Sequence, residues 1–263
     1  MDKKLIFFDI DGTLYDHDKK IPESTMQALT MLKEAGHMLA IATGRAPFMV
    51  KPVLEETGIE NFISFNGQYV YANGAVIYEN PLKTDSLIQL EKHAFKHNHP
   101  IVFLTHDDLV ANIDFHEHIK TSLGTLHMKH PRKVSAFYND NKIYQALLFQ
   151  QSDEDELYDG MDDNIKFIRW HEVSRDVVPQ NGSKMNGIKH LAEALNFDIK
   201  DTVAFGDGLN DIEMIRDSGI GVVMGNGHDV LKAHADFITK NVDEDGIMYA
   251  VQQLNLIKEH HGE

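Results

Sequence analysis

Near its start the chain reads Lys4-Leu5-Ile6-Phe7-Phe8-Asp9-Ile10-Asp11-Gly12-Thr13. The run Lys4–Phe8, rich in aromatic and branched side chains, has the texture of a strand covered on both faces. Strand side chains alternate faces, so Asp9 and Asp11 are expected on one side and Ile10 on the other. Two carboxylates then share a small volume at the carboxyl end of a strand, where open α/β sheets hold their ligands. They repel each other unless a cation or a proton lies between them, and hard oxygen donors favour Mg²⁺. Gly12 permits a positive φ where the chain has to turn. The competing reading is an acidic surface turn, against which stands the buried character of the strand that leads into it.

Outward from this segment, residues 1–81 alternate strand and helix. Ser24 with Gln27 resembles a capping box opening a helix whose Met26, Leu29 and Leu32 form one stripe and which Gly36 ends. Met38–Ala42 reads as the second strand, Pro47 suits a helix start, and Pro52 is expected to kink or shorten that helix. Phe62–Phe65 reads as a third strand, and Tyr69–Ala72 with Ala75–Tyr78 flank the hairpin signal Asn73-Gly74. From Leu82 to Gly182 the texture changes to helical segments (Thr84–Lys96, Phe115–Leu123, Asp153–Met161) between more polar, half-buried strands such as Ile101–Leu104 and Tyr144–Phe149. The alternation then returns with helix Lys184–Leu195, strand Thr202–Phe205, helix Leu209–Arg216, strand Gly221–Met224 and a helix through Ile247–Ile257. The expected fold class is α/β, with a Rossmann-like parallel-sheet core from residues 1–81 and 183–263 and an inserted α+β cap at 82–182.

Composition narrows the function classes. With 41 acidic against 25 basic residues the formal charge is −16, the wrong sign for a general nucleic-acid binder, so small molecules and cations are the expected partners. No feature points to a protein partner. The chain has no cysteine, which excludes thiolate metal sites and a cysteine nucleophile. Asp9 interrupts the first apolar run long before a signal-peptide core is complete, and no stretch has the length a membrane span needs. A cytoplasmic protein is expected. Among 16 histidines, the pairs His97/His99, His116/His118 and His127/His130 sit among charged residues and read as solvated surface.

Three further segments fall at strand or helix ends. Ala42-Thr43-Gly44-Arg45 offers a hydroxyl, a free backbone N–H and a guanidinium to an anion, although Thr-Gly is also an ordinary strand-to-helix turn. Gly182-Ser183-Lys184 opens a helix, whose N-terminal N–H groups and dipole favour anions; a lysine there is either part of an anion site or a solvated surface residue. Gly206-Asp207-Gly208-Leu209-Asn210-Asp211 follows a strand. Asp207 there completes an oxygen-ligand set with Asp9, and Asp211 is either a helix cap or a ligand.

The ordered set Asp9-x-Asp11-Gly12-Thr13, Thr43-Gly44-Arg45, Lys184 and Gly206-Asp207-x-x-Asn210-Asp211 resembles the haloacid dehalogenase (HAD) superfamily. The insertion after the third strand and hairpin looks like the Cof-type phosphatases, which carry a large α+β, C2B-like cap. The resemblance implies a phosphoric monoester hydrolase in which Asp9 attacks phosphorus and Asp11 protonates the leaving oxygen, then activates water. It implies Mg²⁺ held by Asp9, the backbone carbonyl of Asp11 and Asp207, with Asp211 supporting the site. Thr43, Gly44, Lys184, Asn210 and the Ile10 N–H, joined by Arg45, would hold the phosphoryl oxygens. Halide chemistry is disfavoured, because dehalogenases lack the second aspartate. Many relatives have a glycine directly after the lysine where this chain has Met185. The implied substrate is a small phosphomonoester such as a sugar phosphate, flavin mononucleotide or pyridoxal phosphate. A phosphomutase and a non-catalytic sensor of a phosphorylated metabolite are the alternatives.

Overall fold

The computed structural model describes residues 2–257. They form two compact units: the chain up to Arg45 with Val50–Glu79 and everything from Ser183 onward, and Ala46–Met49 with Asn80–Gly182.

The first unit is built on β1 (Leu5–Phe8), α1 (Glu23–Glu34), β2 (Met38–Ala42), all but the first three residues of α2 (Pro47–Thr57), β3 (Asn61–Ser64), β4 (Tyr69–Ala72) and β5 (Ala75–Glu79). The second unit supplies α3 (Thr84–Lys96), β6 (Ile101–Leu104), β7 (Leu109–Ala111), α4 (Glu117–Gly124), β8 (Gln145–Leu148), β9 (Ile165–His171) and β10 (Ser174–Pro179). The chain then returns to the first unit with α5 (Lys184–Ala194), β11 (Thr202–Gly206), α6 (Ile212–Asp217), β12 (Ile220–Val223), α7 (Asp229–Lys232), β13 (Phe237–Ile238) and α8 (Gly246–Gln253).

In the first unit the strands run in the order β13-β12-β11-β1-β2-β3-β4-β5, parallel from β13 to β3 and closed by an antiparallel hairpin. Asn73 and Gly74 at the hairpin tip both have positive φ, 52° and 82°, the backbone a two-residue turn with the right twist requires. From β1 the chain steps outward to β2 and β3, and after the insertion it resumes on the other flank of β1 at β11. That reversal beside β1 is a switch point, where diverging crossovers open a crevice at the carboxyl ends of the strands. One face of the sheet packs Phe7, Ala40, Ile63 and Val70 against Met185, Ile188 and Leu191 of α5. Ile188 is fully buried, so its truncation to alanine removes about 2–5 kcal/mol of stability.

The second unit is an antiparallel sheet in the order β7-β6-β8-β10-β9. Leu87, Leu90 and Ala94 of α3 pack on Phe103, Ala146, Leu148 and Val177. Among the described residues no helix is long and apolar enough to cross a membrane.

Several local expectations give way. Helix α1 opens at Glu23 after Pro22, whose carbonyl accepts the Met26 N–H; Ser24 Oγ has no partner among the described residues, so there is no capping box. Its buried stripe is Thr25, Ala28, Leu29 and Leu32, with Met26 at the margin. Pro52 lies inside an uninterrupted α2 and is exposed, so the carbonyl that loses its donor can turn to water. The third strand ends at Ser64, and the helix expected over Asp153–Met161 is a 3₁₀ stretch, Ser152–Tyr158. Strands β6 and β8 are fully buried, not half-buried.

Of the paired histidines His127 is exposed as expected, but others are held inside the structure. His99 is buried, with Nδ1 2.7 Å from the Tyr158 hydroxyl and Nε2 3.2 Å from Glu154. His116 accepts the His118 N–H as the N-cap of α4 and donates its own N–H to Nε2 of His130.

Candidate active site

Phe8 ends the β1 ladder, and the Asp9 N–H still reaches Phe205 O at 3.0 Å, so Asp9 is anchored between β2 and β11. Beyond it the chain curls tightly, with Leu14 and Tyr15 both donating to Ile10 O at 3.0 and 2.7 Å. Gly12 sits in this curl at φ +83°, and a Cβ there would come within 2.2 Å of Asp207 Oδ2. Any other residue would be strained and would also displace a carboxylate. Thr13 donates its hydroxyl to Asp207 Oδ1 at 2.9 Å.

Helix α5 brings Lys184 to the same place. Ser183 caps the helix by accepting the Asn186 N–H at 3.2 Å. Lys184 is wholly buried, and its Nζ donates to Asp9 Oδ1 and Asp211 Oδ1, each at 2.6 Å. The other oxygen of Asp211 accepts the N–H groups of Asp207 and Gly208 at 3.0 and 2.9 Å. Asp211 therefore braces the loop after β11 and also faces Lys184, while as the residue before α6 it makes no side-chain cap bond to that helix.

Asp9, Asp207 and Asp211 each offer an oxygen within 4.8 Å of the others. Burial pushes Asp9 up to about 8 against the opposing charge of Lys184, and burial with the nearby Asp211 pushes Asp207 up to about 7. Burial works to lower Lys184, but Asp211 and Asp9 outweigh it and hold the ammonium above its ordinary value. Crowded, protonation-prone carboxylates are what a divalent cation relieves, so this donor set fits a hard metal ion.

The carboxylate of Asp11 stands outside that group. Arg45 grips it with two bonds, Nε to Oδ2 at 2.8 Å and Nη2 to Oδ1 at 2.6 Å, and Lys19 Nζ lies 2.5 Å from Oδ1. Burial would raise its pKa, but the hydrogen bonds and charge of Arg45, then those of Lys19, hold it below the ordinary carboxylate range. Arg45 thus points at Asp11 instead of standing free for an anion. The free amide expected at the end of β2 is not that of Thr43, whose N–H donates to Ile63 O at 2.9 Å. Among the described residues the N–H groups of Gly44 and Ile10 have no acceptor, and Thr43 Oγ1 accepts the Arg45 N–H at 3.1 Å.

Asn210 is exposed, and its Nδ2 donates to Oδ1 of Asn66 at 3.1 Å. The sequence reading passed over Asn66, as it did the pairing of Lys19 with Asp11 and of Thr13 with Asp207. The signal for Asn66 is the Asn-Gly pair one residue after a parallel strand, a dipeptide suited to left-handed backbone. Lys19 carries no local signal.

A buried lysine bridging two of three clustered carboxylates beside the central strand of a mostly parallel sheet is the candidate active site of an α/β hydrolase. Residues 6–251 match the family model of the haloacid dehalogenase-like hydrolases. The chain is 51% identical over 258 residues to "Putative phosphatase YkrA" of Bacillus subtilis (strain 168), covering 98% of this chain and 100% of that one. A solved hypothetical protein of Geobacillus kaustophilus is 48% identical, with a TM-score of 0.92 over 97% of this chain and 100% of that one. The HAD subclass IIB sugar phosphatase BT4131 is 29% identical, with a TM-score of 0.86 over 97% of this chain and 100% of that one. The chain belongs to the haloacid dehalogenase-like hydrolases. It is a HAD-type phosphatase with a Rossmann-like core and an inserted α+β cap, acting on a small phosphorylated substrate.

Proposed function

We propose that this phosphatase hydrolyses a small phosphomonoester, a sugar phosphate first of all, through an aspartyl-phosphate on Asp9. The observation that carries the reading is the buried Lys184 bridging Asp9 and Asp211 beside Asp207. Asp9 Oδ attacks phosphorus, the ester P–O bond breaks, and Asp11 gives a proton to the leaving oxygen. Water then attacks the same phosphorus while Asp11 takes its proton, and Asp9 is released as carboxylate. For Asp11 to act as an acid the grip of Arg45 and of Lys19 must loosen. In this reading Arg45 turns to the incoming phosphoryl group, a dianion that competes for its planar donor fork.

Lys184, the N–H groups of Ile10 and Gly44, the Thr43 hydroxyl and the Asn210 amide supply donors for the equatorial oxygens, where charge concentrates during transfer. Asp9, Asp207 and the Asp11 carbonyl would hold Mg²⁺, with Asp211 in support. Bound there, the ion would neutralise phosphoryl charge and offset the repulsion among the three carboxylates. Residues 82–182 serve as the domain that selects the leaving group. The sugar-phosphate preference draws support from the likeness to the subclass IIB sugar phosphatase.

The test has two parts. Phosphate release is screened with Mg²⁺ over a panel of phosphomonoesters, and isomerisation of hexose phosphates in place of release would favour a mutase. Acid-quenched enzyme is then searched for a hydroxylamine-labile phosphoryl group on the peptide holding Asp9. Asp9→Asn is expected to lose both turnover and label, since an amide cannot form the acyl phosphate. Substantial turnover in that variant would rule out the covalent route.

A further inference from the structure

Asn66 lies among three successive residues with positive φ: Phe65 at 52°, Asn66 at 52° and Gly67 at 96°. Left-handed backbone at consecutive non-glycine residues is costly, and it persists only where the surroundings hold it in place. Here they do. Phe65 N–H donates to Arg45 O at 3.1 Å, and Asn66 N–H donates to Thr43 O at 3.0 Å. A Cβ on Gly67 would lie 1.9 Å from Ser183 O, so the loop is pressed against the start of the helix that carries Lys184. The strained loop after β3 is thereby tied to the loop after β2 and to the N-terminus of α5.

The Asn66 side chain extends the tie to the loop after β11. It is buried at 3% exposure, and its carboxamide lies against Gly44, where a Cβ would stand 3.1 Å from Nδ2 and 3.2 Å from Oδ1. On its other side Oδ1 accepts Asn210 Nδ2. A carboxamide nitrogen has two hydrogens. With one spent on Asn66, the nitrogen end of the exposed Asn210 is fixed in direction, and its second N–H is left for another acceptor. Asn66 brings no charge, so it orients a donor without repelling a phosphoryl dianion.

We propose that Asn66 is a positioning residue: through Asn210 it aims one amide N–H at the transferring phosphoryl group and spares that side chain the cost of ordering during the reaction. This rests on the phosphatase reading above. Immobilising a rotamer-rich side chain has a cost that corresponds to roughly 2- to 10-fold in rate, which sets the expected size of the effect.

The test is a double-mutant cycle on p-nitrophenyl phosphate hydrolysis with Mg²⁺, using wild type, Asn66→Gly, Asn210→Ala and the double variant. Glycine keeps the left-handed backbone and removes only the side chain. Asn66→Gly is expected to lower kcat/KM roughly 2- to 10-fold alone and to cause no further loss in the Asn210→Ala background. Equal losses in both backgrounds would mean a merely structural role and overturn the proposal.

A second cycle uses Asn66→Asp, which keeps an acceptor oxygen and tolerates left-handed backbone, and which remains informative if the glycine variant does not fold. Removing Asn210 in that background should cost as much as in wild type, whatever the added charge does to KM. No effect of Asn210→Ala there would also overturn the proposal. Failure of the phosphatase reading looks different: wild type would release no phosphate, or Asp9→Asn would retain turnover.

Discussion

Lys184 Nζ stands 2.6 Å from Oδ1 of Asp9, with both side chains almost sealed from solvent. The pair is asymmetric, because the same ammonium also serves Asp211, while Asp207 crowds the cluster without a bond to Lys184.

Lys184→Met keeps most of the length and removes the charge, leaving buried carboxylates facing one another. Loss of a buried partner typically costs about 3–5 kcal/mol, so a clear drop in melting temperature is expected in EDTA. Mg²⁺ should restore part of it, and more than it raises the melting temperature of wild type. On the proposed mechanism a donor to the phosphoryl oxygens is gone, and turnover should fall by ~10²–10³-fold or more even with Mg²⁺. A variant whose melting temperature ignores Mg²⁺ would speak against a metal at these carboxylates.

On the proposed mechanism, acid chemistry and metal binding separate at Asp11. Asp11→Asn should spare metal affinity, read by calorimetry, because its carboxylate stands apart from the Asp9–Asp207–Asp211 group. Cleavage of a sugar phosphate should slow by ~10²–10⁴-fold, the usual range for general acid catalysis. The pre-steady-state burst with p-nitrophenyl phosphate should suffer far less, since nitrophenolate leaves without a proton. Equal slowing of both bursts would remove Asp11 from the acid role.

Metal identity should matter as well as metal presence. Activity is expected to vanish in EDTA, return with Mg²⁺ and be inhibited by excess Ca²⁺. Ca²⁺ takes more ligands at longer distances and would draw the second Asp9 oxygen into coordination, spoiling its attack. Full activity in EDTA would contradict the assignment.

In the inserted unit, acid stability should track His99. Burial, with His97 and His118 nearby and only partly offset by Glu154, holds His99 below its ordinary 6.5. Tyr158 occupies its other nitrogen. His116 and His37 are lowered for the same leading reason. In the window below 6.5 the unfolded chain takes up protons that the folded chain refuses, so stability falls as pH falls. Melting temperatures compared between about pH 7 and about pH 5 should drop less steeply for His99→Asn than for wild type. An unchanged slope would place the sensitivity elsewhere.

The parts of the fold legible in the sequence are those whose signals are local. A buried run such as Leu5–Phe8 and the Asn73-Gly74 tip need nothing distant to be recognised. Strands β9 and β10 carry no such local signal, because Arg169 and Arg175 break their apolar texture. Those charges are met by Asp155, 14 and 20 residues away, and Arg169 also donates to Gln150 and to the carbonyls of His171 and Glu172. The Ser24 capping reading failed for a related reason: Pro22 already sets the entry of α1, leaving the hydroxyl no task there.

The site divides the same way. Asp9, Lys184, Asp207 and Asp211 sit at strand or helix ends, and the structure brings them together. Arg45 is at the expected end of β2, but its partner is Asp11, a choice that depends on where the curl after β1 sends that carboxylate. Asn66 acquires its place from a backbone conformation and from a residue 144 positions away, neither of which a linear reading contains.

The neighbours of β1 also set an order of events during synthesis. β2 follows it closely, but β11 leaves the ribosome only after the whole insertion has been made, although its residues pair with β1 from Leu5↔Thr202 to Phe8↔Phe205. The inserted sheet draws all its strands from residues 101–179 and can close while one edge of β1 is still bare. Asp9 meets Lys184 late. Until then the nascent chain carries an open hydrophobic strand edge with no finished site beside it, the interval in which a chaperone or a mispairing strand would find it.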